Sequence, residues 1–183
     1  MHIINSFADN QLTDLIFHHF GANLETLNID EQLYLLQACV CYIGDAEEEM
    51  HSDAIEAAKQ IEKTTEIPVE AMALVLGLGE LLDERVNKFL SDYVNNWWSE
   101  AAMEAFGNSL DRMTINERAW NLYSLLQEIV DHNELVNREK IESVDEWILN
   151  ACEYGFAQHE LIRVARAIAH IAAETYYSNN QAA

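Results

Sequence analysis

Apolar residues recur along most of this chain at intervals of three and four, the spacing that aligns one face of an α-helix. Leu33, Leu36, Val40 and Ile43 form one such series, and Ala119, Leu122, Leu126 and Ile129 form another. Each series follows a capping-box sequence. In Asn28-Ile29-Asp30-Glu31 the Asn side chain can accept a backbone N–H, and Glu31 can return the bond; Thr114-Ile115-Asn116-Glu117 has the same form. No segment alternates apolar and polar positions as a half-buried strand would. The pattern predicts an all-α fold, one bundle of about seven or eight helices, in a single domain over 1–183.

Other start and stop signals complete the outline. A first helix over 11–20 ends at Gly21, placed to take the left-handed conformation that closes a helix. Pro68 sits at an early helical position, where its missing N–H costs nothing. Gly77 and Gly79 are expected to weaken or interrupt that segment before a further one at 80–91. A helix over 93–106 stops near Gly107, and a long Ala- and Ile-rich helix covers 157–177. The polar tail 178–183 is expected to fray. The two capping boxes lie 86 residues apart, and at that offset 28–56 and 114–142 share eight identities in 29 positions. This predicts an internal duplication, with units 28–64 and 114–150, each a helix, an acidic connector and a helix, packed about a pseudo-twofold axis.

Charge narrows the function. The 183 residues hold 32 Asp and Glu against 10 Lys and Arg, a formal net charge of −22. Such a surface repels phosphate, which argues against direct nucleic-acid binding and against anionic membranes. The first 58 residues contain eleven acids and neither Lys nor Arg; Lys59 is the first cation. The longest charge-free apolar stretch, 71–79, is far shorter than the ~20 residues of a membrane-spanning helix. Met1 to Asn10 lack the basic start of a secretion signal, so a cytoplasmic protein is expected. Cys39, Cys41 and Cys152 show no paired metal-site spacing and read as reduced thiols.

Candidate chemistry clusters in the connectors. Asp45, Glu47 and Glu49, with Glu56, stand at positions 1, 3, 5 and 12 of a calcium-loop count, but Met50 occupies the position where the loop needs a Gly turn. A looser divalent-ion site would draw on Asp45, Glu47, Glu48 and Asp53. The alternative is a solvated acidic helix start favoured by the macrodipole. Glu48-Glu49-Met50-His51 contains one Glu-x-x-His, without the second copy a di-iron centre needs. His159, Arg163, Arg166 and His170 form one stripe on the last helix, suited to internal pairing with acids such as those of a connector, or to an anionic ligand. Trp97-Trp98 cannot both enter one core from a helix, which offers Trp98 as a partner anchor. No phosphate loop, nucleophile elbow, zinc-protease motif or zinc-spaced cysteine cluster is present, and a non-enzymatic protein without a resident cofactor is expected.

The segment Val130-Asp131-His132-Asn133-Glu134-Leu135-Val136-Asn137-Arg138-Glu139-Lys140-Ile141 resembles the helix-linking motif of the tellurite-resistance TerB-like family. Asn133 stands where that family has Gly and His132 where it has Asp; in the first unit Asp45 and Asp53 match its acids. The resemblance covers about 60 residues in two pieces. It implies an all-helical acidic domain in a bacterial stress or phage-defence setting, with a divalent-ion or protein-binding role. From charge alone, the leading expectation is a protein that docks through Glu47, Glu48, Glu49, Asp53, Glu56 and Trp98 onto a basic partner. The natural partners are nucleases or nucleic-acid-binding proteins, met by an inhibitor, immunity protein or DNA mimic. A homo-oligomer stays open, as does charge that serves solubility alone.

Overall fold

The computed structural model describes residues 11–43, 67, 69–95, 97–130 and 158–181. Among these the fold is all-α, with α1 at Gln11–Phe20, α2 at Ile29–Cys41, α3 at Val69–Glu80, α4 at Trp97–Phe106, α5 at Ile115–Val130 and α6 at Gln158–Gln181. A single 3₁₀ turn, Leu90–Asp92, lies between α3 and α4. The described residues thus hold six helices against the seven or eight expected, and no strand.

Both capping boxes form. The Glu31 N–H donates to Asn28 Oδ1 at 2.9 Å, and the Asn28 N–H donates to Glu31 Oε2 at 3.2 Å. The Glu117 N–H donates to Thr114 Oγ1 at 3.1 Å, and the Thr114 N–H to Glu117 Oε2 at 3.0 Å. Several boundaries differ from the sequence reading, among them the helix expected over 93–106, which begins at Trp97. α3 runs through Gly77 and Gly79 without a break, because both are buried against neighbours. A Cβ at Gly79 would lie 2.9 Å from the Ala169 Cβ, so the missing side chain is what lets α3 and α6 approach closely. The 80–91 segment is not a helix but turns, extended chain and the 3₁₀ turn. At the other end, α6 continues to Gln181 rather than fraying from Ser178, with Asn180 Nδ2 donating to the Tyr176 carbonyl at 3.0 Å.

Four helices make the most extensive pairings in the core, to which α1 adds Leu12, Ile16 and Phe20 and α4 adds Ala102. α2 packs on α5 and α3 on α6. Leu33, Leu36 and Val40 of α2, Leu122 and Leu126 of α5, Val75 and Leu78 of α3 and Val164 and Ile168 of α6 are all buried in the one core, as the three-four spacing requires. α2 also packs on α6, and α3 on α5. α3 and α6 run antiparallel: Tyr176 Oη donates to the Ile67 carbonyl at 2.6 Å at one end, and Arg166 reaches Glu80 at the other. Gln158 Nε2 ties the start of α6 to the Ile43 carbonyl at 2.8 Å, just past α2.

The structure extends the internal likeness upstream of the capping boxes. Gly21 and Gly107 have φ of +91° and +95°, and three residues on Leu24 and Leu110 have φ of +54° and +56°. Each step of 86 residues repeats a hydrogen bond. Leu24 N–H donates to Gly21 O at 3.2 Å and Leu110 N–H to Gly107 O at 3.0 Å. Thr26 N–H donates to Phe20 O and Arg112 N–H to Phe106 O; Leu27 N–H donates to Leu24 O and Met113 N–H to Leu110 O. The corner between α1 and α2 is therefore repeated between α4 and α5, and α1 starts 86 residues before α4. Exchanging α1, α2 and α3 for α4, α5 and α6 maps the four core helix pairings onto themselves. The units 28–64 and 114–150 extend past the described residues, and the repeated structure begins earlier than they do.

Candidate functional site

Asp45, Glu47, Glu48, Glu49, Asp53 and Glu56 lie outside the described residues, as do the metal donor set drawn from them, Cys152 and the TerB-like segment beyond Val130. Trp98 lies in the first turn of α4. Among the described residues, no group of three or more His, Cys, Asp or Glu is arranged to hold a metal ion. No helix there is long and apolar enough to cross a membrane. Cys39 is buried and Cys41 half-buried, and neither forms a disulfide among the described residues.

The basic stripe of α6 is where the structure brings charges together. Arg166 Nη2 donates to Glu80 Oε2 at 2.8 Å and Nη1 to Asp83 Oδ2 at 3.1 Å. His170, one turn on, turns Nε2 toward the other oxygen of Glu80. Asp83 in turn accepts from the backbone N–H of Arg85 at 3.0 Å and from its Nε and Nη2, both at 3.1 Å. The internal pairing expected of this stripe exists for Arg166 and His170, but the acids come from the end of α3 and the turn after it rather than from a connector. Nothing in local spacing around Glu80 marks it as their partner.

The two carboxylates are buried while Arg85 is open to water. Burial pushes the Asp83 carboxyl up, yet the Arg85 hydrogen bonds and the Arg85 and Arg166 charges outweigh it and hold the group below its ordinary value. Tyr93 is shifted upward, first by burial and then by the negative charges of Glu80 and Asp92, with Arg166 opposing. The cluster fixes how α3 crosses α6, because its groups satisfy one another at a site of low solvent access.

A second buried cation escaped the sequence reading. Arg118, in the first turn of α5, is 3% exposed. Its Nη1 donates to the Leu81 carbonyl at 2.8 Å and its Nη2 to the Leu110 carbonyl at 2.7 Å. Burial lowers its pKa, opposed by the negative charges of Glu84 and Asp111. Gln32, 86 residues earlier, makes the bond corresponding to that on Leu110 through Nε2 to the Leu24 carbonyl, and a second to the Leu27 carbonyl, each 3.3 Å. The signal for Arg118 was present in the repeat, which pairs it with a buried Gln.

Among the described residues, carboxylates outnumber Lys and Arg at the exposed positions. α4 presents Glu100, Ala101, Glu104 and Ala105 to solvent, and the corresponding positions of α1 carry Asp14, Leu15, His18 and His19, also exposed. Glu70, Glu84, Asp92, Asp111 and Glu174 are exposed as well. No protein-family model matches the chain, and no curated protein or solved structure matches it.

Proposed function

We propose that this chain is a non-enzymatic binding protein that docks its acidic surface onto a basic protein, a nuclease or nucleic-acid-binding protein, as an inhibitor, immunity protein or DNA mimic does. The observation that carries the reading is the excess of carboxylates over Lys and Arg at the exposed positions of the described residues. Arg118 and Arg166 are spent on carbonyls and carboxylates inside the fold, while carboxylates stand out on the surfaces of α1, α3, α4 and α6. Among the described residues nine acids are exposed against three Lys or Arg (Arg85, Lys88 and Arg112), so the excess of acids holds at the exposed positions although Asp30, Glu31, Glu80 and Asp83 are buried. A one-sign field of this kind accelerates encounter with a cationic target.

The first 58 residues, with eleven acids and no Lys or Arg, are the strongest part of that field. In this reading Glu47, Glu48, Glu49, Asp53 and Glu56 steer the partner and Trp98 anchors it. The test begins with capture and identification of the co-purifying partner, followed by association kinetics across salt. Changing Glu47, Glu48 and Glu49 to Gln is expected to slow association at low salt and to converge with the parent near 1 M, where the Debye length is ~3 Å. Trp98→Ala is expected to raise the dissociation rate with little salt dependence. Equal kinetics for the triple variant at every ionic strength would assign the charge to solubility. Calorimetric binding of calcium, magnesium or manganese that is lost in Asp45→Asn with Glu48→Gln would favour a TerB-like cation-binding protein instead.

A further inference from the structure

The repeated corners and the self-consistent helix pairings place Glu80 and Arg166 at corresponding positions, 86 residues apart, and in direct contact. In a pair of related units, positions that meet their own equivalents lie at the axis of exchange. Two identical units would bring two carboxylates together there, or two guanidiniums. Here one unit supplies Glu80, backed by Asp83, and the other supplies Arg166, backed by His170. We propose that this chain is a covalently linked pair of like units, and that the Glu80–Arg166 contact makes each unit recognise its unlike partner and reject a second copy of itself.

The rejection follows from where the pair sits. The Glu80 and Asp83 side chains are 7% and 9% exposed, and Arg166 is 18% exposed, so water screens a mismatched pair poorly. Two copies of the first unit would place buried Glu80 and Asp83 against Glu80 and Asp83, with only the solvent-exposed Arg85 beside each Asp83 and no cation in the place of Arg166. Two copies of the second would set Arg166 and His170 against their like. Repulsion against the wrong pairing gives selectivity that apolar packing of α2 on α5 cannot supply. The surface that α2 and α3 present thus fits one kind of partner: a unit of the same architecture with a cation at the position of Arg166.

The test uses the full chain with a protease site inserted after Asn95, an exposed position between the units. After folding and cleavage the two halves are expected to remain together as one species. Cleaved protein, half of it isotope-labelled, is then denatured, refolded and weighed by native mass spectrometry. Unlike pairs are expected to exceed like pairs by at least about tenfold. Arg166→Glu should abolish that preference or prevent reassembly, and Glu80→Arg combined with Arg166→Glu should restore it. Like and unlike pairs in statistical proportion would overturn the proposal. So would halves that separate on cleavage, or an unchanged preference in the Arg166→Glu protein. A double reversal that rescues nothing when the parent halves reassemble would also overturn it, by showing that the charges do not act as a pair.

Discussion

Gln32 and Arg118 occupy the same position in two helix corners built on the same turn, yet they hold different things. Gln32 bonds only to carbonyls of its own corner, Leu24 and Leu27. Arg118 bonds to its own corner at Leu110 and also reaches across to Leu81. The difference traces to helix length. α3 stops at Glu80, so the Leu81 carbonyl has no continuing turn of α-helix to serve, and a buried acceptor needs a donor. At the corresponding place in the second unit α6 runs on to Gln181, and the residue 86 on from Leu81, Ala167, stays inside the helix. A short neutral amide suffices where the opposite helix continues. A long, doubly donating cation is required where it ends.

Substitutions at the corners sharpen the comparison. Arg118→Ala is expected to cost about 3 kcal/mol, because it strands two buried carbonyls and removes a large packed side chain, whereas Gln32→Ala should cost about 1 kcal/mol for two long neutral bonds. Urea denaturation midpoints read both; equal losses would mean the reach to Leu81 contributes nothing. Next in size, Gly107→Ala and Gly21→Ala should each cost about 1–2 kcal/mol. Both sites have positive φ, and a Cβ there would press on the carboxylate of Asp111 or Glu25. A cost at one corner alone would show that the two turns are not energetically alike.

Asp83→Asn is expected to cost about 1 kcal/mol at neutral pH, discounted for the exposure of Arg85. The folded Asp83 pKa lies below its ordinary value of 3.8, so its stabilisation is full above that pH and is lost as pH falls through the folded value. The variant and parent should therefore converge in acid, as followed by thermal melts from pH 7 to pH 2. A gap that persists at the acid end would remove the charge from the account. The smallest effects belong to the caps: Asn28→Ala and Thr114→Ala should each lower stability by about 0.5–1 kcal/mol, to similar degrees.

What the sequence revealed was what local chemistry determines. The α1 stop at Gly21, both capping boxes and the buried series Leu33, Leu36 and Val40 follow from spacing and residue type within a few positions. The interruption expected at Gly77 and Gly79 did not occur, because tertiary contact with α6 stabilises a helix whose intrinsic propensity is poor. Arg118 reads locally as an ordinary solvent-facing residue of an amphipathic helix. Its burial depends on where α3 ends, which lies 37 residues away. Glu80 and Arg166 are separated by 86 residues, and only the repeat links them. Of the candidate site, the acidic excess was legible and Arg166 stood out on its stripe. The choice of Glu80 and Asp83 as its partners belongs to packing.

The corners also bear on the order in which this chain folds. Each is closed by backbone bonds spanning at most six residues, from Thr26 to Phe20 and from Arg112 to Phe106. Loops that short close on the order of 10–100 ns, far sooner than partners 86 residues apart can find each other. The α1–α2 and α4–α5 corners are therefore available early, and the rate-limiting search is the docking of α2 and α5 together with the arrival of α3 and α6. Mutations at Gly21 or Gly107 should slow refolding, while those at Glu80 or Arg166 should chiefly hasten unfolding.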